Sequence, residues 1–195
     1  MASVESELRN AAADLNTIGA RWALVGGLAI ATRAEPRFTK DLDFAVAVEN
    51  DGEAEDVIHR LRAHGYEPRE VLEQDYVERL SGVRLARGGS DVIVDLLFAS
   101  SGIENEIVAS ADRLEILPRL TVPVATTAHL IAMKVLAGRS QDLTDLGYLI
   151  AGASPTDLDN AREAAKLIQA RRFNRERDVT ADLEQLIAES RQTQL

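Results

Sequence analysis

With 195 residues the chain is long enough for one good core plus a helical extension and too short for two large domains. An apolar share of 46% and a charged share of 28% exclude a disordered chain, and a formal net charge of −10 excludes an extended nucleic-acid face while leaving room for a small local one. There is no cysteine, and His59, His64 and His129 are scattered, so disulfides and thiolate or histidine zinc sites are excluded; any metal must be held by oxygen, which favours magnesium, manganese or calcium.

In chain order, the first residues lack the basic and apolar regions of a signal peptide, and no apolar run approaches the roughly 18 residues needed to span a bilayer. A cytoplasmic protein without membrane contact is expected. Residues 3 to 18 place Val4, Leu8, Ala11, Ala12, Leu15 and Ile18 on one face, which predicts an amphipathic helix ended by Gly19. Residues 22 to 48 read as a short apolar strand, a double-glycine turn at Gly26-Gly27 into a short helix, a polar connector, and a strand that opens with Asp41 and Asp43.

Strand side chains alternate, so Asp41 and Asp43 share one face while Leu42 and Phe44 take the other. At a separation of about 5 Å and an effective dielectric of roughly 20, the two charges repel by about 3 kcal/mol. A bound divalent cation offsets that repulsion. The order of glycine turn and paired carboxylates suggests a phosphate cradle beside half of a metal site.

Residues 53 to 64 carry Ala54, Val57, Ile58 and Leu61 on one face, a helix stopped by Gly65. From 66 to 87 the pattern alternates in twos, as antiparallel strands do, with Ser81-Gly82 as the expected turn. Residues 91 to 98 form a β-branched, nearly continuous apolar run, the pattern of a central strand covered on both faces. Asp95 interrupts it, and an unpaired carboxylate there is costly. Either Asp95 converges with Asp41 and Asp43 on shared cations, or it forms an ion pair with Arg84 or Arg87.

After a short helix near 102 to 110, residues 114 to 117 and 122 to 124 read as edge pieces, because Pro118 and Pro123 cannot serve a central ladder. From Thr126 the chain turns helical. Thr126 or Thr127 caps a helix that is apolar almost all round, with Lys134 its only permanently charged residue, ended by Gly138. Ser140, Ser154-Pro155 and Thr180 open three more helices. The expected class is α+β, with an α/β core over residues 1–125 and a C-terminal helical part over 126–195 packed on it.

Gly26-Gly27, thirteen intervening residues, Asp41-Leu42-Asp43 and a later Asp95 in an apolar strand resemble the signature of the nucleotidyltransferase superfamily with the DNA polymerase β-type fold. Within it, Arg37-x-Thr39-x-Asp41-Leu42-Asp43, followed by Lys134, Arg139, Asp142 and Asp145, is similar to the AbiEii-type toxin nucleotidyltransferases. Gly27 stands where many minimal members have serine. The resemblance covers residues 15 to 150 and implies a mixed sheet flanked by helices.

It also implies transfer of a nucleoside monophosphate from an NTP, such as ATP, to an acceptor hydroxyl, with two Mg2+ (or Mn2+) ions. Asp41 and Asp43 would bridge both ions and Asp95 would hold the catalytic one and accept the hydroxyl proton. Gly26 and Gly27 would face the β and γ phosphates, with Arg37, Thr39 and Lys134 as further phosphate contacts and Asp142 and Asp145 behind them. A toxin acting on RNA, for instance a tRNA 3′ end, or on a protein, with a cognate antitoxin, follows from the same resemblance. The competing expectations are an antibiotic-modifying nucleotidyltransferase and an inactive nucleotide-binding or antitoxin-like protein.

Plainer readings stand beside these. Gly26-Gly27 serves as a tight turn alone, Asp41 and Asp43 as a solvated strand end, and Lys134 snorkels its amine to solvent. Asp142 and Asp145 answer only the dipole of a helix start. The cluster from Arg171 to Arg177 is a solvated helix junction, or the place where a polyanion touches an acidic protein.

Overall fold

The computed structural model describes residues 3–34, 39–74 and 77–193. Helix α1 (Val4–Thr17) starts from Ser3, whose hydroxyl accepts the Ser6 amide. The chain continues through β1 (Trp22–Val25), α2 (Gly26–Arg33), β2 (Leu42–Val46), α3 (Asp51–Ala63), β3 (Tyr66–Gln74), β4 (Arg79–Arg87) and β5 (Ile93–Leu97). Then follow α4 (Glu104–Ala109), β6 (Asp112–Leu117), β7 (Leu120–Val124), α5 (Thr127–Ala137), α6 (Ser140–Gly152), α7 (Pro155–Ala170) and α8 (Val179–Thr193).

The seven strands make one mixed sheet in the order β3-β4-β5-β2-β1-β7-β6, in which β2 runs parallel to β5 and β1 parallel to β7. The expected α+β architecture is present. One continuous core joins the sheet to the late helices, from Leu24, Phe44 and Leu96 to Ile131, Leu149, Ala165 and Leu183. Trp22 meets Phe44 edge-on at 5.3 Å between ring centroids.

The register places functional residues side by side. Glu70, Arg84, Asp95, Asp43 and Val25 are successive partners across β3, β4, β5, β2 and β1. Residues in one such row point to the same face of a sheet. The four charged residues Glu70, Arg84, Asp95 and Asp43 therefore form one line from the edge strand β3 to β2.

Several expectations are corrected. Ser81-Gly82 is not a turn but lies within β4, and Val77 and Glu78 belong to the hairpin turn. Gly82 is needed for packing, since a Cβ there would stand 2.5 Å from the Leu96 carbonyl oxygen on the paired strand. Strand β5 is central but not covered alike on both faces: Val94 and Leu96 are buried, whereas Ile93, Asp95 and Leu97 are half-buried. Strand β7 is internal despite Pro123. It meets β1 through the Leu24–Val124 pair alone, so Pro123 is not part of the ladder on that side.

Two helix starts also shift, by one residue and by two. Arg139, not Ser140, precedes α6, and the Asp142 carboxylate accepts the Arg139 amide. Asp178, rather than Thr180, closes the start of α8 by accepting the Ala181 amide.

Candidate active site

Gly26, Gly27, Thr39, Asp41, Asp43, Asp95 and Lys134 all line one cavity of about 490 Å³, together with Arg84, Ser100, Ser101, Arg139 and Arg175. Residue Arg37 lies outside the described residues. The cavity sits where β1 ends and β2 begins, beside β5 and α5, whose residues Leu130, Met133 and Ala137 form an apolar wall. Segments more than fifty residues apart in sequence thus supply one set of polar groups.

The glycine turn and the carboxylate strand are fitted to each other. Gly26 opens α2 with φ +64, and a Cβ on it would overlap the Asp43 carboxylate. Glycine is required twice here, for the left-handed backbone and for the close approach. The Gly27 amide donates to Asp43. Thr39 donates its hydroxyl to the Asp41 carbonyl at 3.2 Å, which holds the connector leading into β2.

Asp43 and Asp95 are direct partners on neighbouring parallel strands. At the roughly 4.8 Å spacing of strands and an effective dielectric of about 20, two such charges repel by about 3 kcal/mol. The Asp43 carboxyl is accordingly pushed up from 3.8 to about 6, by burial first and then by Asp95 and Asp41, against the pull of Gly27 and Lys134. Burial also raises Asp95, with Arg84 opposing it. Arg84 Nε donates to Asp95 Oδ1 at 3.1 Å. The ion pair weighed for Asp95 therefore exists, and Asp95 lines the cavity with the other two aspartates at the same time.

Among the described residues no three His, Asp or Glu side chains are already drawn together as a metal cage. The donor chemistry nevertheless fits hard divalent cations. Three carboxylates offer oxygen to one cavity, and Asp43 carries a charge that its surroundings disfavour.

Lys134 neither snorkels to solvent nor stands alone. Its amine bridges Asp142 at 2.5 Å and Asp145 at 2.8 Å, and its side chain is 12% exposed. Asp142, itself fully buried, also receives Arg139 Nε at 3.0 Å. Burial works against its charge, but the hydrogen bonds from Arg139 and Lys134 outweigh it and lower its pKa. The two aspartates thus do more than answer a helix dipole: they fix the lysine against the cavity.

The family model for the nucleotidyl transferase AbiEii toxin, type IV TA system, matches residues 11–194. The chain belongs to the AbiEii nucleotidyltransferase toxin family. As an AbiEii member it is a nucleotidyltransferase. No curated protein matches it by sequence.

Among solved structures, the AbiEii chain is similar to MenT4, nucleotidyltransferase toxin Rv2826c from Mycobacterium tuberculosis H37Rv, at 18% identity and TM-score 0.52, over 83% of this chain and 62% of that one. It is also similar to JHP933 from Helicobacter pylori at 17% and 0.47, over 96% and 88%. For ANT(2'')-Ia in complex with adenylyl-2''-tobramycin the values are 15% and 0.48, over 97% and 98%. At these identities the likeness concerns the fold, and the MenT4 match carries it.

Ser100, Ser101 and Arg175 also line the cavity, with no motif in the sequence that marks them for it. Buried Glu104 accepts the Ser100 amide at 3.0 Å, the Ser101 amide at 2.7 Å and the Ser101 hydroxyl at 2.8 Å, and so shapes the loop after β5. The pattern Ser-Ser-x-x-Glu before a helix was its only signal. The cluster from Arg171 to Arg177 is not simply solvated. Arg171 pairs with Glu106, Phe173 packs on Gly102, Arg177 donates to the Val135 and Leu136 carbonyls of α5, and Arg175 reaches the cavity.

Proposed function

We propose that this chain is a divalent-metal-dependent nucleotidyltransferase of toxin type that moves a nucleoside monophosphate from an NTP to a hydroxyl of RNA, a tRNA 3′ end first, or of a protein. The observation that carries the reading is the pairing of Asp43 with Asp95 in one cavity, with Gly26 packed under Asp43. Two like charges held side by side and partly desolvated make sense as the binding place of a cation.

In the reaction the acceptor oxygen forms a bond to the α-phosphorus, the α–β bridging bond breaks, and pyrophosphate leaves with the electron pair. The acceptor proton would pass to Asp95, which lines the same cavity. Asp41, Asp43 and Asp95 would hold Mg2+ or Mn2+, which would lower the acceptor pKa and stabilise the leaving oxygens. The Gly26 and Gly27 amides, at the start of an eight-residue helix, would orient the β and γ phosphates. Lys134, held by two aspartates, and Arg139 would offset their charge. Substrate entry brings negative charge to an acidic protein, so the cations at this cavity matter for binding as well as chemistry.

The test is incubation with Mg2+, each α-labelled NTP and separated RNA and protein fractions of a cell extract, repeated with Asp43→Ala. Label should move to one fraction with the wild type only; equal labelling by both proteins overturns the assignment. Growth arrest on expression supports the toxin reading. Protection against an aminoglycoside without arrest would instead make it drug modification.

A further inference from the structure

The row that holds Asp43 and Asp95 continues through Arg84 to Glu70, two charged residues that the nucleotidyl-transfer reading does not use. Arg84 stands in it between Asp95 on β5 and Glu70 on the edge strand β3, its register partners on either side. Its Nε donates to Asp95 Oδ1 at 3.1 Å, and its Nη1 lies 3.7 Å from Glu70 Oε2. The Arg84 side chain is 39% exposed and lines the cavity. Asp95 is much less exposed, at 17%, so its ion pair reaches into the site while the Glu70 pair lies at the rim.

We propose, resting on the reading that Asp41, Asp43 and Asp95 hold divalent cations, that Arg84 is the resident counter-cation of the free site, which a metal ion displaces from Asp95 toward Glu70. Arginine suits this task because its planar fork engages carboxylates on two sides and keeps its charge at any working pH. Without it, Asp95 and Asp43 would face each other across one strand spacing with no cation paired to Asp95 in its own row of the sheet. With it, one oxygen of Asp95 is already taken, in keeping with the lack of a preassembled three-carboxylate cage among the described residues.

The consequence is a threshold: an ion must compete with the guanidinium for Asp95. Glu70 lowers that threshold by giving Arg84 an alternative partner. Removing Arg84 and removing Glu70 therefore shift metal affinity in opposite directions, which a merely structural role for either residue does not predict.

The experiment is Mn2+ titration of the full chain without nucleotide, followed by the electron paramagnetic resonance of free Mn2+, on wild type, Arg84→Gln, Glu70→Gln and Asp43→Ala. Folding of each is checked by circular dichroism in chelator. Arg84→Gln should bind Mn2+ about fivefold more tightly, the worth of a part-exposed ion pair. Glu70→Gln, which alters only the edge strand, should bind more weakly than wild type. Equal or weaker binding by Arg84→Gln overturns the counter-cation role. Equal or tighter binding by Glu70→Gln overturns the hand-over. Wild-type binding that Asp43→Ala leaves unchanged, or no wild-type binding at all, overturns the metal reading underneath instead.

Discussion

Replacing Asp43 by asparagine separates what this residue costs the fold from what it gives the reaction. Its carboxyl is raised from 3.8 to about 6 by burial and by Asp95 and Asp41. Because the folded value lies above the unfolded one, the stabilisation is fully present below about pH 4 and is lost as pH rises through about 6. At about 1.36 kcal/mol per pH unit, the metal-free protein gives up about 3 kcal/mol across that window. Asparagine copies the neutral acid and keeps an oxygen for the Gly27 amide. At pH 7.5 in EDTA, Asp43→Asn should therefore be more stable than wild type by about 3 kcal/mol, or roughly 6–12 °C in Tm for a chain of this size. At pH 4 the two should melt together. Urea and thermal unfolding at both pH values measure this, with nucleotide transfer assayed in parallel and expected to vanish. A variant no more stable than wild type at pH 7.5, or equally stabilised at both pH values, would refute the account of a strained carboxylate at the site.

Three further outcomes follow from the same geometry. Gly26→Ala puts a Cβ into the Asp43 carboxylate and a side chain at φ +64, so it should lose about 2 kcal/mol or more of stability and nearly all turnover, read by urea melts and label transfer. Lys134→Ala leaves buried Asp142 and Asp145 short of their shared cation and should cost about 3 kcal/mol, most of it regained when Asp142→Asn is added. Glu104→Ala strands three donors of the Ser100-Ser101 loop; about 2 kcal/mol should be lost, and KM for the NTP should rise more than kcat falls.

Much of the scaffold was legible locally. The spacing of Leu8, Ala11, Ala12 and Leu15 gave α1, Gly138 in the left-handed region ended α5, and Ser154-Pro155 opened α7. Errors fell where a residue type is chosen by a distant neighbour. Gly82 looks like a turn residue but serves the Leu96 carbonyl across the strand pair, and Pro123 looks like an edge marker but lies in a strand that has β1 on one side and β6 on the other. The paired aspartates were visible because period-2 alternation places Asp41 and Asp43 on one face without further knowledge.

The sequence by itself determined the chemical types: oxygen donors only, a glycine turn before two carboxylates, a third carboxylate in an apolar strand, and a lone lysine on an apolar helix. Those depend on composition and near-neighbour geometry, which the chain carries locally. Only the tertiary structure decided who faces whom. Strand register set Asp95 between Asp43 and Arg84, and the packing of α5 against α6 gave Lys134 to Asp142 and Asp145. Pairings of that kind depend on which strands become neighbours across dozens of residues, and register fixes them in steps of one residue that local pattern alone does not specify.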